Sequence, residues 1–565
     1  MALPSRHSLP SFSLKQKLFL IFLLLISLPS LIIVIISEKK HQKPPSSSVV
    51  VGITALSHDH NNNNNVQATK PAWFDVIAKD IKEEKIKIGL VNIHDDEDIV
   101  GSLQHLHPKV ETVTVNFDHV NESLKWKDLY PEWIDEDEKW GKGKCPEMPT
   151  TTTTAEANTL NVVVARVPES SCGVVFRLQL NLVVANLAVE SGWVSWEGYD
   201  PRVVYVVFVS SSSSCGPMEE IFRCDDLLMH NHSEEGVYYW VYKPDLRSLK
   251  LKTLMPIGSC QISPAYAESG KEKWRLRPEK QEKQNSSSIL VGSTTRIAYV
   301  TILHSSELYV CGAIALAHSI LRNPDQDIRV PPETKDLLLL ADDSISSESL
   351  TALRAAGWNK IKRIQRIQNP FANKSSHNEW NYSKLRLWEL TMYEKIIFLD
   401  SDVLVLKSLD GFFYYPQLSA APNEKTMFNS GVMVIEPSQC MFESMLKKIH
   451  KVKSYNEGDQ GFLNEVFAWW HRTPSKLNKL KVFRSNNNDE KRDEILPEDL
   501  YAIHYLGLKP WMCDRDYDCN RDREDYRMFA SDVAHQKWWQ VYDSLPKHLQ
   551  SYCGNNVGLA RRSDV

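Results

Sequence analysis

Two carboxylates separated by a single residue are the feature of this sequence that most clearly suggests chemistry. Asp400 and Asp402 flank Ser401 and follow an apolar run at 396–399. Carboxylates this close repel each other unless a partner offsets their charge, and their oxygens suit hard divalent cations such as Mg²⁺ and Mn²⁺. A lone pair of this kind is more often a solvated turn, so the metal-site hypothesis depends on the apolar strand that precedes it.

Three later segments combine small polar groups with glycine in a way that suits sugar and phosphate contacts. An amide, a hydroxyl and a glycine backbone can pack against sugar hydroxyls, a lysine can neutralise a phosphate, and an imidazole can bind a metal. The segments consist of Asn429, Ser430 and Gly431; of Asn456, Glu457, Gly458, Asp459 and Gln460; and of His504, Tyr505, Leu506, Gly507, Leu508 and Lys509. Each segment alone is more typical of a capped turn, a surface loop or a core histidine.

The pattern around these residues predicts an α/β fold. The strands are expected at 296–303, 329–343 and 395–406, and the helices at 310–321, 349–357 and 384–393. Strands that alternate with helices indicate a largely parallel sheet, and such sheets bind ligands beyond the carboxyl ends of their strands. The pair of aspartates follows one of these ends.

An upstream region, 71–270, is expected to form an α/β accessory domain. Its β-branched runs are compatible with buried strands at 86–93, 161–167, 182–189 and 203–209. It contains no nucleotide-binding loop signature, and its role stays open. A charged and polar linker at 271–288 separates it from the region that carries the motifs, 289–555.

The first 70 residues differ from the rest in composition. Residues 18–36 are apolar and uncharged, and as a helix they reach about 28 Å, which barely spans a hydrocarbon core of about 30 Å. The run exceeds the roughly 7–15 residues of a signal-peptide core and lacks a small-residue cleavage pattern, which favours a retained signal-anchor. We therefore expect a cytosolic tail at 1–17, a transmembrane helix at 18–36 and a flexible stem at 37–70.

The composition excludes several classes of protein. There are 66 basic and 71 acidic residues, which argues against a nucleic-acid binder whose affinity depends on a global positive field. Ten cysteines in 565 residues are too few for a scaffold built from disulfides. Cys513 and Cys519 can pair with each other or with more distant partners, and Cys311 is expected to be a buried thiol.

The order and spacing of the motifs resemble glycosyltransferase family 8, the glycogenin-like group. The resemblance rests on DSD at 400–402, FNSGV at 428–432, DQG at 459–461 and HYLGLKPW at 504–511, and on the segments at 299–301 and 383–388. It covers residues 292–525. Upstream segments at 177–193, 219–228 and 271–277, together with the anchor, resemble more narrowly the plant glucuronosyltransferases that substitute xylan.

The resemblance implies a Rossmann-like GT-A fold and a retaining, Mn²⁺-dependent transfer from a UDP-sugar. It assigns Asp400, Asp402 and His504 to the metal, and Gly507 and Lys509 to the diphosphate. The other positions that it assigns to the bound nucleotide-sugar or acceptor are Ser401, Asn429, Ser430, Gly431, Asn456, Glu457, Gly458, Gln460, Tyr505, Leu506 and Leu508. Lys384 and Asp459 match positions with catalytic roles. Asn456 stands where glycogenins have an acidic residue.

The narrower resemblance implies UDP-glucuronate as donor, xylan as acceptor and an α-1,2 bond. It also implies a single-pass type II protein of the Golgi membrane with a lumenal body, and it allows a complex with other xylan-synthesis enzymes. Lys384 and Arg386 are candidates to bind the glucuronate carboxylate. For the retaining outcome, attack from the face of the leaving phosphate is preferred over a covalent intermediate on Asp459.

Two other functions stay open at this point. One is a glycogenin-like enzyme that primes starch by glucosylating its own tyrosine, and the anchor and stem argue against it. The other is a Golgi scaffold whose site has decayed. The intact pair of aspartates, His504 and Lys509 argue against that alternative.

Overall fold

The computed structural model describes residues 71–554, with gaps at 72, 82, 84, 94–102, 104–109, 132–133, 137–144, 151–158, 169–174, 193–201, 213–214, 233–235, 264–295, 324–334, 425 and 483–495. The predicted tail, anchor and stem at 1–70 and the predicted linker at 271–288 lie outside the described residues. Within the described part, no helix is both long and apolar enough to cross a membrane.

A six-stranded sheet forms the centre of the upstream part. Its strands are β1 (Ile86–Val91), β2 (Val110–Val115), β3 (Val162–Arg166), β4 (Tyr205–Ser210), β5 (Leu227–His232) and β6 (Tyr238–Tyr242). They lie in the order β2-β1-β3-β4-β6-β5; the first four are parallel neighbours, and β6 pairs antiparallel with β4 and β5. The strands predicted at 86–93, 161–167 and 203–209 are thereby confirmed.

The prediction of a strand at 182–189 is wrong, because these residues belong to the helix α2 (Val175–Gly192). Nearly every side chain of this helix is buried, on all sides of its axis. A helix buried all round loses its one-sided apolar period, so an apolar stretch within it cannot be distinguished from a buried strand. Two further α-helices of the described upstream residues are α1 (Phe74–Ala78) and α3 (Leu246–Thr253).

A seven-stranded sheet forms the centre of the downstream part. Its strands are β7 (Ile297–Leu303), β8 (Lys335–Ala341), β9 (Lys360–Arg363), β10 (Lys395–Leu399), β12 (Ser419–Pro422), β13 (Phe428–Ile435) and β14 (His471–Arg472). The order is β14-β12-β13-β10-β7-β8-β9, with β10, β7, β8 and β9 parallel and β13 antiparallel to both of its neighbours. β7 and β10 are buried throughout, which explains their continuous apolar sequences.

A small sheet lies beside the large one, in the order β11-β16-β15. Its strands are β11 (Val403–Val405), β15 (Lys479–Leu480) and β16 (Ala502–His504). The helices of the downstream part are α4 (Val310–Arg322), α5 (Ser347–Ala356), α6 (Gln439–Lys448), α7 (Asp459–Val466), α8 (Asp532–Asp543) and α9 (Lys547–Gly554). The two ends of α5 are determined by local sequence. At its start the Ser346 hydroxyl accepts a hydrogen bond from the Ser349 amide, and Gly357 ends the helix with φ 126°.

The amphipathic helix predicted at 384–393 is instead a 3₁₀ helix over Asn381–Glu389. Tyr382, Ser383, Lys384 and Leu385 are buried in succession, so the segment lacks the exposed face that an amphipathic α-helix needs. The other 3₁₀ helices are Trp126–Leu129, Cys224–Asp226, Glu307–Tyr309, Asp410–Tyr414, Ser475–Asn478, Pro510–Met512, Cys519–Asp522 and Arg527–Phe529.

The two parts pack against each other through a continuous apolar core that contains residues of both. A disulfide between Cys224 and Cys440 joins them covalently. Next to it, the buried Glu436 carboxylate lies 3.4 Å from the Arg223 guanidinium and 3.5 Å from the Lys395 ammonium. The upstream part is therefore joined to the downstream part by packing, by ion pairs and by a covalent bond.

Four disulfides are described. They join Cys145 to Cys260, Cys224 to Cys440, Cys311 to Cys553 and Cys513 to Cys519. The expectation of a buried thiol at Cys311 is wrong, because α9 packs on α4 and brings Cys553 beside it from 242 residues away. Of the two pairings considered for Cys513, the structure has the one with Cys519.

Removing the bridge between the two parts is predicted to destabilise the protein more than removing the local one. Cys224–Cys440 closes a loop of 216 residues and Cys513–Cys519 a loop of 6. Loop-closure entropy then gives losses of about 5 and about 2 kcal/mol in the free energy of unfolding. Urea denaturation of the two double Cys→Ser variants measures both losses, and a smaller loss for the long loop contradicts the pairing described here.

Candidate active site

The carboxyl end of β10 places the two aspartates at the middle of the large sheet. On one side β10 pairs with β13, so that Leu399 is opposite Val432. The Asp400 amide continues this ladder by donating to the Gly431 carbonyl oxygen at 2.8 Å. Two motifs that are distant in sequence, 400–402 and 429–431, therefore lie side by side.

Strand β16 brings His504 to the same place. Val403 of β11 is the antiparallel partner of His504, and the Tyr505 amide donates to the Asp402 carbonyl oxygen at 3.0 Å. The His504 Nε2 lies 3.3 Å from an Asp402 carboxylate oxygen. One potential ligand atom from each of Asp400, Asp402 and His504 lies within 4.8 Å of the others.

Two glycines allow this close approach. A Cβ on Gly431 would clash with the His504 ring, and a Cβ on Gly312 of α4 would clash with the Ser401 carbonyl oxygen and the Trp511 ring. Glycine at these positions thus lets a strand and a helix press against the loop of the aspartates. Ser401 itself is buried by this packing.

Two buried lysines compensate the charge of the partly buried carboxylates. The Lys509 ammonium lies 2.7 Å from Asp402 and donates to the Tyr505 carbonyl oxygen at 2.6 Å. The Lys384 ammonium lies 3.2 Å from Asp400 and 2.6 Å from Asp459. Both lysines are buried, so each needs its carboxylate partner as much as the carboxylate needs the lysine.

The surroundings shift the pKa values of Asp400 and Asp402 in opposite directions. Burial, opposed by Lys384 and assisted by the neighbouring Asp402, raises the pKa of Asp400 to about 6. Burial also opposes the charge of Asp402, but Lys509 and His504 outweigh it and lower the pKa of that carboxyl. The pKa of Lys384 and that of Lys509 are raised, because their carboxylate partners outweigh burial. The two neighbouring carboxyls therefore have well-separated pKa values.

Asp459 opens helix α7 and faces the same cluster. One of its carboxylate oxygens receives both the Lys384 ammonium at 2.6 Å and the Ser430 hydroxyl at 2.9 Å. Gln460 accepts a hydrogen bond from the Ser430 amide at 3.2 Å. The Asn429 amide oxygen accepts from the Gly431 amide at 2.9 Å. The predicted polar segments at 429–431 and 459–460 therefore meet at the cluster of Asp400, Asp402 and His504.

The loop that follows His504 contributes mainly through its backbone. The Tyr505 hydroxyl donates to the Ala534 carbonyl oxygen, so this side chain points into the core and away from the cluster. Gly507 has φ 72°, a conformation that favours glycine. Leu506 and Leu508 flank it, and the Leu508 amide is held by Asn520 at 2.8 Å.

The segment at 456–458 forms a turn next to the cluster. The Asn456 amide oxygen accepts from the Gly458 and Gly461 amides at 3.0 and 3.1 Å, and so caps the start of α7. Glu457 is exposed with φ 51°.

Arg386, a predicted partner for a glucuronate carboxylate, already has partners elsewhere. Its guanidinium makes two hydrogen bonds to the Glu389 carboxylate, at 2.8 and 2.9 Å, and one to the Gln365 carbonyl oxygen. It also lies over the Phe442 ring. Of the two candidates, the structure brings only Lys384 into the cluster.

The sequence reasoning missed a buried chain of contacts behind Lys509. Lys481 and Asp518 form a fully buried ion pair at 2.6 Å. Asp518 accepts from the Asn520 amide group at 2.7 Å, and Asn520 in turn makes hydrogen bonds to the Leu508 amide and carbonyl groups, each at 2.8 Å. These residues orient the segment 507–509. No periodicity links them, and the only local signal is the adjacent Cys513–Cys519 pair.

The donor set fits a divalent cation. Two carboxylates and an imidazole within reach of one another supply the oxygen and nitrogen ligands that Mn²⁺ accepts. The His504 Nδ1 is buried without a hydrogen-bond partner in the part of the chain that the structure describes. A second group of potential ligands, Cys224, Asp225 and Cys440, does not fit, because its two cysteines are joined as a disulfide.

Breaking the buried Lys481–Asp518 pair is predicted to cost far more than breaking an exposed one. Asp518→Asn leaves an ammonium group buried without its counter-charge, and we expect a loss of about 3–5 kcal/mol in the free energy of unfolding. Arg521→Ala, which breaks a half-exposed pair with Asp532, is the matched control, with a loss of at most about 1 kcal/mol. Urea denaturation measures both, and equal losses contradict the assigned burial.

Comparison with known proteins gives two family matches and several long relatives. A family described as GUX1-5 N-terminal domain matches residues 62–260, and glycosyl transferase family 8 matches residues 300–514. In Arabidopsis thaliana, UDP-glucuronate:xylan alpha-glucuronosyltransferase 2 is 44% identical over 493 residues, which cover 85% of this chain and 76% of that protein. UDP-glucuronate:xylan alpha-glucuronosyltransferase 1 is 41% identical over 485 residues, with 83% and 67% covered.

The likeness to glycogenins is weaker and shorter. Human glycogenin-2 is 28% identical over 294 residues, which cover 49% of this chain and 56% of that protein. The resemblance inferred from the motifs is confirmed, and it extends well beyond the downstream part. The chain belongs to the UDP-glucuronate:xylan alpha-glucuronosyltransferase family, whose downstream part matches glycosyltransferase family 8.

Proposed function

We propose that this protein transfers glucuronic acid from UDP-glucuronate to the xylan backbone, with retention and an α-1,2 bond, in the synthesis of cell-wall glucuronoxylan. The observation that carries the proposal is the group formed by the partly buried Asp400 and Asp402 and the buried His504, with Lys509 against it. The names of the relatives that span most of the chain supply the donor and the acceptor. The family 8 match supports a GT-A fold for the downstream part.

We also propose a single-pass type II protein of the Golgi membrane with its body in the lumen, able to associate with other xylan-synthesis enzymes. The apolar run at 18–36 and the polar stem at 37–70 support this location. Protease digestion of intact Golgi vesicles tests it. A lumenal body is protected until detergent is added, whereas digestion without detergent contradicts the proposal.

Asp400, Asp402 and His504 would hold Mn²⁺, which would supply Lewis-acid stabilisation of the diphosphate leaving group. Lys509 is placed to add positive charge to the same group, and burial strengthens that contribution. The chain 481–518–520 fixes the backbone next to Lys509, so this charge is preorganised. Asn429 and Ser430 supply amide and hydroxyl groups for the sugar.

The contacts of Asp459 favour same-face attack over a covalent intermediate. Its carboxylate forms an ion pair with the Lys384 ammonium and accepts a hydrogen bond from the Ser430 hydroxyl. Both contacts lower the nucleophilicity of a carboxylate. In this account Lys384 and Asp459 orient the sugar, and the leaving phosphate oxygen takes the proton of the acceptor hydroxyl.

The assay that tests the proposed function measures UDP release by the purified protein with Mn²⁺, a panel of UDP-sugars and xylo-oligosaccharides. Turnover is predicted for UDP-glucuronate with a xylan acceptor. Self-glucosylation from UDP-glucose supports the glycogenin-like alternative, and the absence of turnover with every donor supports the scaffold. Either result contradicts the proposal.

Loss of one predicted metal ligand is expected to abolish this activity. Asp402→Asn removes a carboxylate that would bind Mn²⁺ and that pairs with Lys509. We therefore expect kcat/KM to fall at least about 100-fold. Asp343→Asn, at a fully exposed carboxylate of the same part, is the control and is expected to stay within about twofold of the wild type. Equal activity of the two variants contradicts the metal site.

Replacing Lys384 and replacing Arg386 are predicted to have clearly different effects on catalysis. Lys384→Ala leaves Asp400 and Asp459 without their cation, and we expect kcat to fall at least about 100-fold. Arg386→Ala breaks the contacts to Glu389, Gln365 and the Phe442 ring, which lie outside the cluster, so we expect at most about a threefold change in the UDP-glucuronate to UDP-glucose preference. Steady-state kinetics with both donors measure these effects, and a lost preference in Arg386→Ala contradicts its placement here.

A further inference from the structure

The turn at 454–458 is held rigidly by side-chain amides. Asn456 accepts hydrogen bonds from the Ser454 hydroxyl at 2.9 Å and from the Gly458 amide at 3.0 Å. The Asn369 side chain donates to the Glu457 carbonyl oxygen at 2.8 Å. Glu457 is fixed at φ 51°, an unfavourable conformation for a non-glycine residue, which persists where surrounding contacts impose it.

This rigid turn presents Tyr455 to solvent. The tyrosine is 50% exposed, although its hydroxyl is fixed by a hydrogen bond from the Gln460 side chain at 2.7 Å. Gln460 also contacts the Ser430 amide. The exposed ring is therefore connected, through two hydrogen bonds, to the group that contains Lys384 and Asp459.

The surroundings of Tyr455 suit an uncharged ligand. Glu457 is two residues away, and Glu424 acts electrostatically on the tyrosine. An anionic UDP-sugar is disfavoured beside these carboxylates. The groups proposed to bind the donor, Lys509 and Ser430, are buried, whereas Tyr455 faces the solvent from which a polymer must approach.

We propose that Tyr455 forms an acceptor subsite, on which a neutral pyranose ring of the xylan chain stacks. This inference rests on the proposed function. A flat aromatic face can pack against the C–H face of a sugar, and a ring that is already fixed loses little conformational entropy on binding. Glu424 and Glu457 disfavour an anionic donor at the same place.

The test is steady-state kinetics of Tyr455→Ala, Tyr455→Phe and Tyr455→Trp in the full chain. For Tyr455→Ala we expect the KM for xylohexaose to rise about tenfold, the loss of one aromatic contact. The KM for UDP-glucuronate and the UDP release without acceptor are expected to stay within about twofold. The Phe and Trp variants keep an aromatic face and are expected to keep the acceptor KM within about threefold.

Tyr517→Ala is the matched control, because Tyr517 is 40% exposed and its hydroxyl donates to Asp522; its acceptor KM should not change. An unchanged acceptor KM in Tyr455→Ala overturns the proposal. So does a rise in Tyr455→Phe equal to that in Tyr455→Ala, since the hydroxyl would then act through Gln460. If xylohexaose does not stimulate the wild type, the proposed function itself fails, and the acceptor subsite with it.

Discussion

The compensation of negative charge that is partly withdrawn from solvent is the constraint on which the rest of this structure depends. Asp400, Asp402 and Asp459 converge at one end of a buried strand, and partly buried carboxylates this close together repel each other unless cations lie beside them. Lys384 and Lys509 supply the partners within the chain. The same two lysines are the groups that a phosphorylated, negatively charged donor would use. The site is therefore organised before any ligand arrives.

The large sheet and its supports hold this arrangement at fixed distances. β13 carries Gly431 against Asp400, and β16 carries His504 against Asp402. Behind Lys509, the buried Lys481–Asp518 pair and Asn520 hold the segment 507–509. The upstream sheet contributes no residue to the cluster, but its core and the Cys224–Cys440 bridge brace the downstream part. Rigid support of this kind is what preorganised electrostatics requires.

Local chemistry was readable from the sequence, because it depends on short spacings. The aspartate pair after an apolar run, the helix at 310–321 and the parallel sheet follow from patterns of a few residues. The helix Val175–Gly192 was misread as containing a strand, since complete burial removes its period. The Cys311–Cys553 bridge and the 481–518–520 chain were missed, since both depend on contacts between distant segments that no local pattern encodes.

In the proposed function, Asp400, Asp402 and His504 would hold Mn²⁺, and Lys509 would add positive charge to the diphosphate. Calorimetric titration of UDP into the purified protein, with and without Mn²⁺, tests it most directly. We predict that removing Mn²⁺ weakens UDP binding at least about tenfold, and that Asp402→Asn removes this dependence on the metal. UDP affinity that is the same with and without Mn²⁺ in the wild type would contradict the account.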